Sequence, residues 1–135
     1  MKRILIAISI IMAAVSCNNK NPFFSEWDTP YGIPDFGQIE EAHYIPAIEE
    51  GIRQQEAEIQ AIIDNPDAPT FENVVEAYER SGAILDRVSM VLFNISESDA
   101  TESLQKIVEE ALPLISVHSD NIFMNPYFFT KVEKL

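Results

Sequence analysis

From about residue 40 onward, the hydrophobic positions repeat at steps of three and four residues, which is the period of an amphipathic helix. Six isoleucines at this spacing predict a first helix over residues 41–64. A second apolar stripe, which begins at Phe71, predicts a second helix over about residues 71–95 with Gly82 inside it. Glycine costs a helix interior about 1 kcal/mol relative to alanine, so we expect Gly82 to mark the close approach of a neighbouring helix.

Capping residues indicate where the later helices begin. The sequence "DATE" resembles a capping box, with Asp99 in the cap position and Glu102 three residues later, and it predicts the start of a third helix. Pro113 lies within the apolar stripe of that helix and is expected to kink it. Asn125 followed by Pro126 is typical of an N-cap and first helical position, so a fourth helix is predicted from about residue 126.

The segment "NPDAPTFEN" separates the first two predicted helices. Pro66 disfavours the α conformation at Asn65 and ends the first helix, and Pro69 keeps the link extended. Thr70 can cap the second helix, with Glu72 favourably placed in its first turn. Such a short link makes the two helices antiparallel neighbours whose apolar stripes face each other. The predicted fold class is therefore all-α, an antiparallel bundle of helical hairpins.

A proline-rich arm precedes the helices. Prolines 22, 30 and 34 exclude a continuous helix and favour an extended or turn-rich path. The arm is too apolar for a flexible tether, so we expect it to lie across the helical body and bury its aromatic rings. A ligand-binding aromatic strip is the alternative interpretation. The rings are Phe23, Phe24, Trp27, Tyr31 and Phe36.

Composition limits the classes of function. The chain has 135 residues and 47% hydrophobic content, which suits one domain with a modest core. Its net charge is -13, and a surface so acidic repels the phosphate backbone. We therefore predict no nucleic-acid partner.

The first residues have the layout of an export signal. Lys2 and Arg3 precede an apolar run that is too short to span a bilayer, so residues 1–16 are predicted to be a signal peptide. Cys17, the single cysteine, follows "AVS", which resembles the lipobox of bacterial lipoproteins. An ordinary signal peptide with an incidental cysteine is the alternative. The lipoprotein interpretation predicts lipidation of Cys17, a linker over residues 17–21, and a periplasm-facing protein anchored to a membrane of the cell envelope.

No candidate catalytic or metal-ligating residues emerge from the sequence. The two histidines, His43 and His118, are far apart, and neither belongs to a His-Glu-x-x-His motif. His118 falls on the apolar stripe of the third helix and is predicted to be a packed, hydrogen-bonded core residue. His43 is predicted to be a partly exposed structural residue near a helix start. Paired glutamates such as Glu49 and Glu50 are typical of a solvated helix surface.

Several motifs together resemble one enzyme family. They are "NPFFSEW", "YGIPDF", "HYIPAIEEGI", "NPDAPTFEN" and "HSDNIFMNPYFF". In this order and spacing they are similar to the N-terminal region of the thimet oligopeptidase family of zinc metallopeptidases, most closely its bacterial peptidyl-dipeptidase (dipeptidyl carboxypeptidase) branch. The resemblance covers residues 21–135. Residues 22–135 would be the N-terminal helical part of such an enzyme, without its zinc domain.

The resemblance implies a larger, wholly helical enzyme in which a deep channel admits short oligopeptides and dipeptides are released from their C-termini. It also implies zinc, held in that family by a His-Glu-x-x-His helix far downstream. That motif is absent from this sequence, so no catalytic or metal role is carried onto any residue, and no cofactor is expected in this chain. The expected function is to wall the substrate channel, without activity in isolation.

A second hypothesis is a small, non-catalytic helical lipoprotein that binds a peptide or protein partner. The last helix favours the first hypothesis. It begins at Asn125 and Pro126 and has scarcely opened at Leu135, with neighbouring aromatic residues that would be exposed. We therefore expect this sequence to be the front of a longer polypeptide.

Overall fold

A computed structural model describes residues 21–135. The predicted signal peptide and Cys17 lie outside the described residues. Within that range the protein is helical and has no strand, which confirms the all-α fold class. The helices are α1 (Tyr44–Asp64), a π-helical segment (Phe71–Glu76) that continues directly into the short α2 (Ala77–Glu79), α3 (Ala83–Ser98), α4 (Glu102–Phe123) and α5 (Pro126–Glu133), with 3-10 turns at Pro22–Phe24, Pro30–Gly32 and Glu41–His43.

The link after α1 is built as predicted. Asn65 leaves the α region with φ -60° and ψ 119°, because Pro66 follows it. Thr70 caps the π-helical segment: its hydroxyl accepts a hydrogen bond from the Asn73 backbone N–H (3.2 Å), and the Asn73 side-chain oxygen accepts one from the Thr70 N–H (2.8 Å). This reciprocal pair satisfies two backbone donors that a helix start leaves without partners.

The prediction of one continuous helix over residues 71–95 is wrong. The chain breaks at Gly82, whose φ of 77° lies in the left-handed region, and α3 begins at the next residue. Glycine adopts this conformation without the steric cost of a Cβ, so Gly82 forms a corner. The expected close approach to a neighbouring helix is also present, because a Cβ on Gly82 would come within 2.5 Å of the Gln55 side chain on α1. The main partner of α1 is α3, the helix after this corner.

The start of α4 also differs from the prediction. Asp99 ends α3, and Thr101 is the N-cap of α4, with its hydroxyl accepting a hydrogen bond from the Leu104 N–H (3.1 Å). Thr101 has the extended backbone that an N-cap needs (φ -75°, ψ 156°), whereas Asp99 does not (φ -146°, ψ 66°). Farther along, α4 continues through Pro113 as a single helix.

The start of α5 is as predicted. The Asn125 side-chain oxygen accepts hydrogen bonds from the backbone N–H groups of Tyr127 (2.9 Å) and Phe128 (3.1 Å), and Pro126 occupies the first helical position. None of the helices within residues 21–135 is long and apolar enough to span a bilayer.

Two apolar clusters hold the helices together. The larger joins α1, α3, α4 and the arm, and its buried members include Phe23, Tyr44, Ile48, Val88, Leu92 and Leu104. The smaller joins the end of α1 to the π-helical segment, α4 and α5 through Ile59, Ile62, Val74, Ile122 and Phe128.

The arm buries only part of its aromatic surface. Phe23 is fully buried, and its ring centroid lies 6.1 Å from that of Trp27 and 5.5 Å from that of Tyr44. The prediction that all five rings of the arm pack on the helices is wrong for Phe24, Tyr31 and Phe36. Phe24 is 47% exposed, Phe36 is 54% exposed and Tyr31 is 98% exposed.

Candidate functional site

The described residues do not provide a metal site. Between residues 21 and 135, no three His, Cys, Asp or Glu side chains are grouped so that they could hold a metal ion. A zinc ion in a protein takes at least three such ligands, so this part of the chain does not fit the zinc site that the family resemblance implies.

His118 is a buried residue within a polar network between α1, α4 and the corner before α3. Only 3% of the residue is exposed, and its Nε2 lies 2.8 Å from the side-chain oxygen of Gln55. The Gln55 amide nitrogen donates to the Ser81 hydroxyl (3.1 Å), and that hydroxyl donates to the Tyr78 carbonyl (2.7 Å). Since Gln55 uses its nitrogen for Ser81, its oxygen accepts the proton of His118 Nε2. His118 is thus the packed, hydrogen-bonded residue that the sequence predicted.

The other nitrogen of His118 has no hydrogen-bond partner among the described residues. The nearest carboxylate is that of Glu56, whose Oε1 lies 4.0 Å from Nδ1. Burial lowers the pKa of His118 from its usual value of 6.5, and the negative charge of Glu56 opposes this shift. Burial therefore favours the neutral imidazole of His118. The residue has a structural role, because its hydrogen bond to Gln55 links α4 to α1.

His43 is also structural and is partly exposed, as predicted. Its Nδ1 accepts a hydrogen bond from the Glu40 backbone N–H (2.9 Å) at the turn before α1. Its carbonyl accepts one from the side chain of Asn21 (2.7 Å), which attaches the start of the arm to the start of α1. These two hydrogen bonds give His43 a positioning role in the fold.

The paired glutamates behave as a solvated helix surface. Glu50 and Arg53 form an ion pair of 2.5 Å on the outer face of α1. The hydrogen bond from Arg53, followed by that from Gln54, lowers the pKa of Glu50 to about 2. The Glu50 carboxylate thus has its counterion on its own helix.

A cleft of about 400 Å³ separates the arm from α3. Arg87 holds the arm against this helix, because it donates to the carbonyls of Phe23 (2.9 Å) and Ser25 (3.1 Å) and lies 5.3 Å above the ring of Trp27. Two rings of the predicted aromatic strip, Trp27 and Phe36, line this cleft. Its apolar lining includes Trp27, Pro34, Phe36, Met90, Val91 and Ile95.

A second apolar surface lies between the π-helical segment, α2, the end of α4 and α5. We call this depression, of about 220 Å³, the apolar groove. None of its lining residues is charged, and Phe123 and Phe129 on its walls are 63% and 58% exposed. The sequence predicted exposed aromatic residues at the start of the last helix but not this groove, because the other wall of the groove comes from residues some fifty positions earlier. Its lining includes Val75, Tyr78, Phe123, Phe128, Phe129 and Val132.

The sequence is similar to those of known peptidases. The dipeptidyl carboxypeptidases of Salmonella typhimurium and Escherichia coli are each 37% identical to it over 113 residues, which is 84% of this chain. This chain is a homologue of the N-terminal region of the dipeptidyl carboxypeptidases. Oligopeptidase A of Salmonella typhimurium is more distant, with 21% identity over 91 residues, or 67% of this chain and 13% of the relative. No protein-family profile matches the chain.

The homology confirms the family resemblance that the motifs predicted. This dipeptidyl carboxypeptidase homologue spans only 17% of the length of the two relatives that it matches at 37% identity. Its described residues supply a helical scaffold with two apolar depressions.

Proposed function

We propose that this chain forms the N-terminal, channel-walling part of a zinc-dependent peptidyl-dipeptidase, an enzyme that releases dipeptides from the C-termini of oligopeptides. The alignment to two dipeptidyl carboxypeptidases over 84% of the chain carries this proposal. The role of these residues is to shape the access route for short peptides. Zinc and the groups that activate water belong to the part of the enzyme that these residues do not include.

Two features of the chain support a scaffolding role. Its histidines are both engaged in structural hydrogen bonds, His43 with Glu40 and His118 with Gln55. Neither lies in a His-Glu-x-x-His sequence, so the chain by itself has no general base next to a metal. We accordingly propose that the isolated chain does not hydrolyse peptides, with or without added zinc.

A chimera tests the proposal. The 113 aligned residues of the Escherichia coli dipeptidyl carboxypeptidase are replaced by their counterparts from this chain. The chimera is expected to release dipeptides from an oligopeptide in a reaction that a metal chelator stops. A folded chimera without activity would contradict the channel-wall function, and chelator-sensitive turnover by the isolated chain would contradict its proposed inactivity.

The export prediction is part of the same proposal. Lipidation of Cys17 would anchor the enzyme in the cell envelope with its channel facing the periplasm, where short peptides arrive from outside the cell. A Cys17→Ser variant is expected to leave the membrane fraction while the unchanged protein stays in it. Equal distribution of the two proteins would exclude the lipid anchor.

A non-catalytic lipoprotein that binds a peptide partner is the second candidate. The apolar cleft beside Trp27 favours it, since the indole N–H is buried and has no acceptor among residues 21–135. Peptide binding by the isolated chain, lost in a Met90→Glu variant, would support this candidate in preference to the channel wall.

A further inference from the structure

We propose that the apolar groove binds the apolar face of an amphipathic helix from the remainder of the larger peptidase, and that this contact joins the N-terminal region to the rest of the enzyme. The inference rests on the proposed function and adds to it a defined interaction surface and a defined partner.

The exposure of the groove walls is the first observation. Phe123 and Phe129 are 63% and 58% exposed, and Val132 is 41% exposed. Large apolar side chains occur singly on many protein surfaces, but here they line one continuous depression without a charged residue. The sequence has 23% charged residues and a net charge of -13, so an uncharged depression contrasts with its acidic composition. This surface is therefore suited to an apolar protein partner.

The groove is already formed in the described residues. Its base contains Phe128, which is only 6% exposed, and the ring centroid of Phe128 lies 5.6 Å from that of Tyr78. Lys131 donates to the carbonyl of Asn65 (2.6 Å), which ties α5 to the end of α1. A surface that is held in place before binding loses less conformational entropy when a partner arrives.

The length of the relatives identifies the partner. The chain corresponds to 17% of each dipeptidyl carboxypeptidase, so most of such an enzyme lies outside these residues. A segment of the same polypeptide is present at a high effective concentration, so even a weak intrinsic affinity is enough for it to occupy the groove. A groove between helices accepts the ridge of side chains on another helix, so the expected occupant is an amphipathic helix with its apolar face inward.

The chimera with the Escherichia coli enzyme tests this contact through a Phe129→Glu variant. A carboxylate in the groove would have to be buried on docking, which is costly without a partner. We expect limited proteolysis to cleave the Phe129→Glu chimera about tenfold faster at the junction between the two parts. A Val132→Glu chimera is expected to show the same change. Phe36→Glu is the matched control, because Phe36 is similarly exposed at 54% but lies on the arm, and its cleavage rate should stay unchanged.

The possible results separate this inference from the proposed function. An unchanged cleavage rate in both groove variants would overturn the docking contact, even where the chimera remains an active peptidase. Loss of activity in the unsubstituted chimera would contradict the proposed function, while the proteolysis still reports on docking. Circular dichroism of the isolated chain with each substitution excludes simple unfolding.

A second copy of the chain is the competing occupant. Sedimentation equilibrium of the isolated chain would detect it as a dimer that Phe129→Glu dissociates. Such a dimer, together with a chimera that Phe129→Glu does not affect, would overturn the proposal in favour of self-association.

Discussion

Gly51 in α1 lies directly against the backbone of Leu85 in α3. A Cβ atom placed on Gly51 would come within 2.7 Å of the Leu85 nitrogen and 2.9 Å of its Cα. The missing side chain therefore sets the distance between the two helices with the most extensive mutual contact. The close approach that the sequence led us to expect at Gly82 is present there against the Gln55 side chain, but the contact with backbone atoms occurs at Gly51.

A Gly51→Ala substitution should destabilise the protein. Alanine favours an isolated helix by about 1 kcal/mol over glycine, but the added methyl group meets backbone atoms that cannot move aside without separating α1 from α3. We expect a net loss of about 1–3 kcal/mol in the free energy of unfolding, measured by urea denaturation. Gly37→Ala is the control, since the nearest atom to its Cβ would be 3.4 Å away. Equal stability of Gly51→Ala and the unchanged protein would contradict this packing.

Phe23 is expected to contribute far more stability than its neighbour Phe24. Phe23 is fully buried against Trp27 and Tyr44, whereas Phe24 is 47% exposed. Phe23→Ala should therefore cost about 3–5 kcal/mol, because it removes a buried ring and leaves a cavity. Phe24→Ala should cost much less in the same thermal or urea unfolding experiment. Similar costs for both substitutions would mean that the arm does not pack on the helices in this way.

Alanine substitutions at residues 101 and 99 distinguish the two candidate caps of α4. Thr101→Ala removes the hydroxyl that accepts the Leu104 N–H and should cost about 1 kcal/mol in unfolding free energy. The Asp99 side chain makes no hydrogen bond within the described residues, so Asp99→Ala should change stability by less than about 0.5 kcal/mol. The opposite order of effects would restore the Asp99 cap that the sequence predicted.

The stability of the protein should depend on the protonation of His118. Burial lowers its pKa below the usual 6.5 in the folded state, so the unfolded chain takes up this proton at a higher pH than the folded one does. The contribution of the neutral imidazole is present above about pH 6.5 and is lost as the pH falls from there towards the folded pKa. A His118→Gln variant should show a weaker pH dependence over this window.

NMR titration of the imidazole gives the sign directly. An apparent pKa below 6.5 is expected, and Glu56→Gln should lower it further, since the Glu56 charge opposes the effect of burial. A pKa above 6.5 would show that the attraction to Glu56 exceeds the cost of burial, and the predicted pH dependence would then reverse.

Features that depend on neighbouring residues were predictable from the sequence. The helical period, the end of α1 at Asn65 before Pro66, and the caps at Thr70 and Asn125 follow from local sterics and local hydrogen bonds. The all-α class and the relationship to the dipeptidyl carboxypeptidases follow from patterns of the same kind spread along the chain.

Features that depend on residues far apart in the chain were visible only in the tertiary structure. The break at Gly82 is nearly invisible in the apolar period, because the stripe resumes on α3 after a short corner. Whether an aromatic ring of the arm is buried depends on which surface of α1 and α3 lies beneath it, so Phe23 and Tyr31 have opposite exposures. The close contact at Gly51 and the apolar groove each combine residues far apart in the chain. Local preferences determined the helices, and long-range packing determined which of their surfaces remain available for a partner.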